Sequence, residues 1–123
     1  MSVETINING RDYVPADEAA ALIKAEEYND MTYCIVRTYS AGVFAGYLES
    51  LDGKTAVIRN VRRIWYWDGA CSLSQLAKEG TKKPENCKFA VAVDKITVTE
   101  AIEILECTQA AFNSITSVEE WKA

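Results

Sequence analysis

Arginine and aromatic side chains crowd one stretch of this chain, RNVRRIWYWDGACSLSQLAKEG, which runs from Arg59 to Gly80. A planar guanidinium matches a phosphate in two-pronged fashion, and a nucleobase stacked on an aromatic ring is worth roughly 1–3 kcal/mol. Unbroken alternation along this segment places Arg59, Val61, Arg63, Trp65 and Trp67 on one face, and Asn60, Arg62, Ile64 and Tyr66 on the other. Each face then mixes cation with ring, as a pocket for a flat anionic ligand would. The same mixture arises when aromatics fill a core and arginines reach past them to water or to carboxylates. Pattern alone leaves both open.

Neighbouring motifs supply further candidates. Ser72-Leu73-Ser74-Gln75 has the form of a capping box, in which serine and glutamine satisfy the first free N–H groups of a helix. Such a helix start, opened by Gly69-Ala70-Cys71, also attracts anions. Lys82, Lys83, Pro84 and Asn86 form a loop that either closes over a ligand or is simply solvated. Upstream, RTYSAGVFAG sets Arg37, Tyr39 and Ser40 beside Gly42 and Gly46, which permit a tight hairpin or a close backbone approach to a ligand.

Several chemistries are excluded. The chain has no histidine, so neither a Ser-His-Asp nor a Cys-His arrangement exists. Cys34, Cys71, Cys87 and Cys107 form no C-x-x-C pair, and their spacing does not suit zinc. No phosphate-binding loop or dinucleotide fingerprint is present. The expectation is a binding protein, not an enzyme, with no metal or cofactor and with reduced, mostly buried thiols. A net charge of −5 and a pI near 4.8 argue against bulk nucleic acid as partner. They leave room for one small anion held by two or three arginines.

The elements that position these residues follow from periodicity. At 123 residues, 49% hydrophobic and 25% charged, the chain suits a single domain. No apolar run is long enough to span a membrane and no leader pattern opens the chain, so a cytoplasmic setting is expected. Residues 1–13 read as a loose polar arm, and PADEAAALIKAEEYND predicts a helix started by Pro15 and ended by Asn29-Asp30. From Met31 the chain turns β-branched and aromatic. Two turn signals, at Ser40-Ala41-Gly42 and Asp52-Gly53, divide it into a three-strand antiparallel meander with a bulge near Asn60. A two-turn helix closed by Gly80 follows, then strands KFAVAV and KITVTEAIEILE, then a short helix capped by Thr108. The fold class is α+β with a mostly antiparallel sheet: an arm and helix over residues 1–30, then one ligand-binding domain over 31–123.

The blocks YCIVRTYSAGVFAGYL, RRIWYWDGACSLSQLA and KPENCKF resemble the Thoeris anti-defence proteins of the first type, small phage proteins once carried as a domain of unknown function. The resemblance runs from about Tyr33 to Trp121. It implies a sponge that binds glycocyclic ADP-ribose and holds it intact, so that the bacterial effector never fires. It further implies a homodimer with pockets at the edges of its interface, and in some members a hexamer that also captures cyclic trinucleotides. The setting implied is the host bacterial cytoplasm. On this basis Arg37, Arg62 and Arg63 are expected on phosphate, and Tyr66, Trp67 and Phe89 in stacking. Ser72, Gln75 and Asn86 are expected on ribose or base, and Tyr39 and Ser40 beside the ligand. The competing expectation is a structural or protein-interaction module of phage origin whose Trp/Arg strand docks a partner.

Overall fold

The computed structural model describes residues 6–8, 11–13 and 23–122. Two short strands, β1 (Ile6–Ile8) and β2 (Arg11–Tyr13), pair antiparallel with Ile6 opposite Tyr13. Within the segment expected as a loose arm, the described residues are therefore paired strands.

The predicted helix over residues 15–28 lies partly outside the described residues. Its described end, from Ile23, is not helical. Instead the chain runs extended along the segment before the last helix: Ala25 N–H donates to Cys107 O (3.0 Å) and Gln109 N–H to Ile23 O (2.8 Å). Asn29 and Asp30 do not end a helix. Both take positive φ (50° and 62°) and form a two-residue turn that pairs Tyr28 with Met31. Asn and Asp are the side chains that tolerate this conformation, and from Ile23 onward backbone pairing outweighs helix propensity.

The meander forms as expected. Strands β3 (Thr32–Thr38), β4 (Val43–Asp52) and β5 (Thr55–Tyr66) run antiparallel in sequence order. The second turn is centred one residue later than the dipeptide suggests. Asp52 pairs with Thr55, leaving Gly53 (φ 60°) and Lys54 as the two turn residues. The next helix, α1 (Leu73–Glu79), is capped by Ser72, whose hydroxyl accepts from Gln75 N–H at 3.2 Å. Gln75 Oε1 reaches back to Cys71 N–H at 2.8 Å, and Gly80 (φ 77°) ends the helix.

A short turn at Pro84–Asn86 leads to β6 (Lys88–Phe89), then β7 (Val93–Val98) and β8 (Ala101–Glu106). KITVTEAIEILE is thus two strands, not one. Alternation breaks at Thr99-Glu100, because Ile96, Val98, Ala101 and Ile104 all face the same cluster. The closing helix α2 (Gln109–Ser117) is capped by Thr108, whose hydroxyl accepts from Ala111 N–H at 3.1 Å.

The sheet order is β6-β5-β4-β3-β8, with β7 on the same edge of β5 as β6. β7 and β8 are joined by two residues yet pair with strands on opposite sides of β4. The sheet must therefore curl so that the end of β7 and the start of β8 come together, and Ala101 N–H on Lys54 O (2.9 Å) ties that corner. Inside the curl lie Cys34, Val36, Phe44, Ala56, Ile58, Val61, Val98 and Ala101. The opposite face packs Tyr33, Ile35, Ala45, Ile64 and Phe89 against Leu76, Ala77, Ala111 and Ile115 of the two helices. Two clusters on opposite faces of one sheet make a two-layer α+β fold. Among the described residues no helix is long and apolar enough to cross a membrane.

Candidate functional site

The site grows from the expected bulge. Between the pairs Tyr47–Arg59 and Ala45–Arg62, β4 contributes one residue, Gly46, against Asn60 and Val61 of β5. Asn60 takes positive φ (47°). A Cβ on Gly46 would lie 2.8 Å from Ile58 Cγ2 and 2.9 Å from both Arg59 O and Val61 Cα. Only glycine lets the bulged strand close in this way.

The extra residue reverses the alternation of the side chains from Val61 to Ile64. Ile58 and Val61 both enter the curl, while Tyr47, the cross-strand partner of Arg59, packs with the helix-side cluster. Arg59 therefore shares the helix-side face with Arg62, and Arg63 lies on the opposite face. The unbroken alternation expected from sequence, with Arg59 beside Val61, Arg63 and Trp65, is corrected by this bulge.

Arg62 is 6% exposed. Its Nε donates to Ala90 O (2.8 Å), Nη1 to Ile115 O (2.8 Å) and Nη2 to Phe89 O (3.1 Å), and its guanidinium carbon stands 5.5 Å from the Phe89 ring centre. A guanidinium has five N–H groups, so these bonds fix its position and leave two unspent. Burial lowers its affinity for a proton, while Tyr33 and Glu120 act the other way.

Beside this guanidinium lies a hollow of about 210 Å³ lined by Tyr33, Asn60, Arg62, Ala92, Thr116, Val118 and Glu120. Tyr33 is 1% exposed. Burial, reinforced by the nearby Cys107, pushes its phenol well above the ordinary value against the pull of Arg62. The phenol therefore stays neutral, a proton donor facing the hollow. Across Asn60 is a second hollow of about 270 Å³, lined by Tyr28, Asn29, Met31, Arg59, Asn60 and Asp94. There Arg59 is held by Glu49 (2.8 Å) and Asp94 (3.3 Å), with Nε on Asp94 O (3.1 Å). Its charge is largely matched within the fold.

The residues expected at the site do not converge. Arg62 lines the first hollow, and Phe89 supports its guanidinium from within the core, fully buried. Arg63 lies on the other face, 4.9 Å over the Phe44 ring, its buried Nε without a partner. Arg37 pairs with Glu103 (3.1 Å) and Ser40 donates to Glu100 (2.6 Å), next to the exposed Tyr39, at the β3–β4 turn. Tyr66 is exposed and Trp67 packs on the helix-side cluster. Ser72 and Gln75 are occupied as caps. Asn86 donates to Asp68 (3.0 Å), a bond that, with Gly69 N–H, holds the Asp68 carboxyl below its usual range. Asn60 was legible as a bulge. Tyr28, Tyr33, Thr116 and Glu120 carried no sequence signal, since they reach the hollows from segments far from Arg62 in the chain.

Among the described residues no three Cys, Asp or Glu side chains gather as a metal site would require. Residues 31–115 match the family model described as a domain of unknown function, DUF6948. No curated protein and no solved structure matches the chain.

Proposed function

We propose that this chain, which belongs to the DUF6948 family, is a non-catalytic receptor that sequesters a small phosphorylated nucleotide signal. The carrying observation is the buried Arg62 guanidinium, fixed by three carbonyls at the wall of a hollow it shares with Tyr33 and Asn60. Preorganisation of this kind favours affinity, because little side-chain freedom remains to be lost on binding. A phosphate oxygen there meets a desolvated cation and a neutral phenol, and charge-assisted bonds are roughly twice as strong as neutral ones. Tyr28, exposed and lining the adjoining hollow, offers a face for a base.

Glycocyclic ADP-ribose is the ligand suggested by the resemblance of RTYSAGVFAG and WYWDGACSLSQLA to the Thoeris anti-defence sponges, and cyclic trinucleotides are the second class. Each hollow is smaller than the roughly 300–1,000 Å³ of most ligand pockets. The ligand therefore spans both past Asn60, or a second copy completes the site in a homodimer or higher assembly. The protein acts in the host bacterial cytoplasm, where tight retention without turnover withholds the signal.

A protein-interaction role is the alternative, favoured by one observation. Trp65 and Trp121 are 62% and 47% exposed with ring centres 6.3 Å apart, and Lys88 stands over the Trp121 ring. Exposed paired tryptophans are typical anchors of protein interfaces. Calorimetric titration with glycocyclic ADP-ribose and cyclic trinucleotides separates the two, with light scattering for subunit number. The receptor role requires saturable binding, recovery of unchanged ligand after heat release, and at least tenfold weaker binding in Tyr33→Phe at unaltered stability. Absence of binding to both ligands refutes it.

A further inference from the structure

A third hollow, about 280 Å³, opens on the helix-side face and is lined by Glu26, Glu27, Tyr28, Tyr47, Gln109 and Phe112. Its character differs from the other two, having aromatic walls, two carboxylates and, among the described residues, no cation in its lining. The rings are tilted, not stacked. Tyr28 and Tyr47 have centres 5.5 Å apart at 44°, and Tyr47 and Phe112 are 6.1 Å apart at 50°. Tyr33, wedged edge-on against both Tyr47 (5.1 Å) and Phe112 (4.8 Å), fixes two of these walls from below.

The two carboxylates are not equivalent. Glu27 accepts from the Thr32 hydroxyl (3.3 Å) and faces Lys24 (3.5 Å). Glu26 is anchored through its backbone, whose N–H donates to Gln109 Oε1 at 2.9 Å. Among the described residues its carboxylate has no ion-pair partner, and it lies near enough to add to the burial that raises the Tyr47 phenol. An anion would be repelled here, and a bare metal ion would find too few oxygen ligands. A cation with an apolar skin meets what the hollow presents. Ring faces carry negative potential, and cation–π attraction contributes roughly 0.5–2 kcal/mol depending on desolvation.

We propose that this hollow is a binding site for a small alkylammonium cation, free or at the end of a lysine side chain, held between the Tyr28, Tyr47 and Phe112 rings and the Glu26 carboxylate. The site is distinct from the Arg62 hollow. Glu26, Tyr47 and Phe112 line neither of the other two, and Tyr28 is shared only with the second.

The test is titration of the full chain with tetramethylammonium, N-acetyl-lysine methylamide and its trimethyl form, followed through the tyrosine ring resonances. Neopentyl alcohol serves as a neutral control of similar shape. Saturable shifts with tetramethylammonium are expected, with binding at least fivefold weaker in Glu26→Gln and Tyr28→Ala and at least tenfold weaker for the alcohol. Both replaced side chains are exposed, so folding is retained. Binding of the lysine derivatives as well identifies a side chain as the natural source, and tetramethylammonium alone identifies a free cation. No shift with any cation, equal binding of the alcohol, or indifference to Glu26→Gln overturns the site. Phosphate-ligand binding in Glu26→Gln stays at the wild-type level, so failure here leaves the Arg62 hollow untouched.

Discussion

Replacing Arg62 by methionine separates a cation built into the fold from one that merely awaits a ligand. Methionine keeps most of the volume and the apolar stem while removing the charge and all three donors. The acceptors do not suffer equally. Phe89 O still accepts from Trp121 N–H (2.9 Å) and Ile115 O from Val118 N–H (3.3 Å), so Ala90 O loses the most. Ile115 lies in the last turns of α2, where carbonyls concentrate negative potential and a cation is favoured. Each hydrogen bond from a charged donor contributes about 1.5–3 kcal/mol, and relief from burying the guanidinium offsets part of the loss. The net expectation is destabilisation by about 3 kcal/mol, or roughly 10 °C in melting temperature for a domain of this size. Urea unfolding followed by tryptophan fluorescence measures it, with a lower midpoint at unchanged slope. A loss under about 1 kcal/mol would mean that the three-carbonyl fork is not made in solution. Tyr33→Phe is the complementary variant, since it removes one oxygen facing the same hollow without disturbing the ring contacts.

Gly46→Ala should destabilise by about 1–3 kcal/mol, because the new methyl meets two backbone atoms and the buried, branched Ile58 side chain at the bulge; a thermal melt that matches wild type would contradict the close approach. Cys71 is the one exposed thiol among free cysteines whose other members are buried. A chromogenic disulfide reagent should therefore titrate one fast thiol, absent in Cys71→Ser, and the rest only on unfolding. Burial pushes the Cys34 and Cys107 thiols from the ordinary 9.0 up to about 12. The unfolded chain then loses those protons first, so their contribution is intact below pH 9 and is lost as pH rises from 9 toward 12. Urea midpoints taken between pH 8 and 10.5 should fall, and fall less in Cys34→Ala; a flat wild-type profile would refute the buried-thiol assignment.

Features governed by near neighbours were legible in the chain. The capping box at Ser72 and Gln75, the glycine after α1, the Thr108 cap and the bulge at Asn60 each depend on residues within a few positions, and each forms in the structure. Local sequence is ambiguous where two preferences compete. PADEAAALIKAEEYND favours a helix by composition, but its described end pairs with Cys107 and Gln109. KITVTEAIEILE alternates well enough for one strand, yet curling of the sheet divides it at Thr99-Glu100.

The amino-acid sequence by itself determined the three-strand meander and the caps of α1 and α2, and with them an α+β class built on a mostly antiparallel sheet. It also concentrated guanidinium and indole groups in β5. Tertiary structure decided which of those groups share a face. One inserted residue at Asn60 reversed the alternation beyond it, placing Arg62 with the helices and Arg63 within the curl. It also brought Tyr33, Thr116 and Glu120 to Arg62 from elements that no short window of sequence connects. Turn and cap chemistry acts over a few bonds, whereas a pocket is made by packing between segments distant along the chain, and only the closed fold sets that geometry.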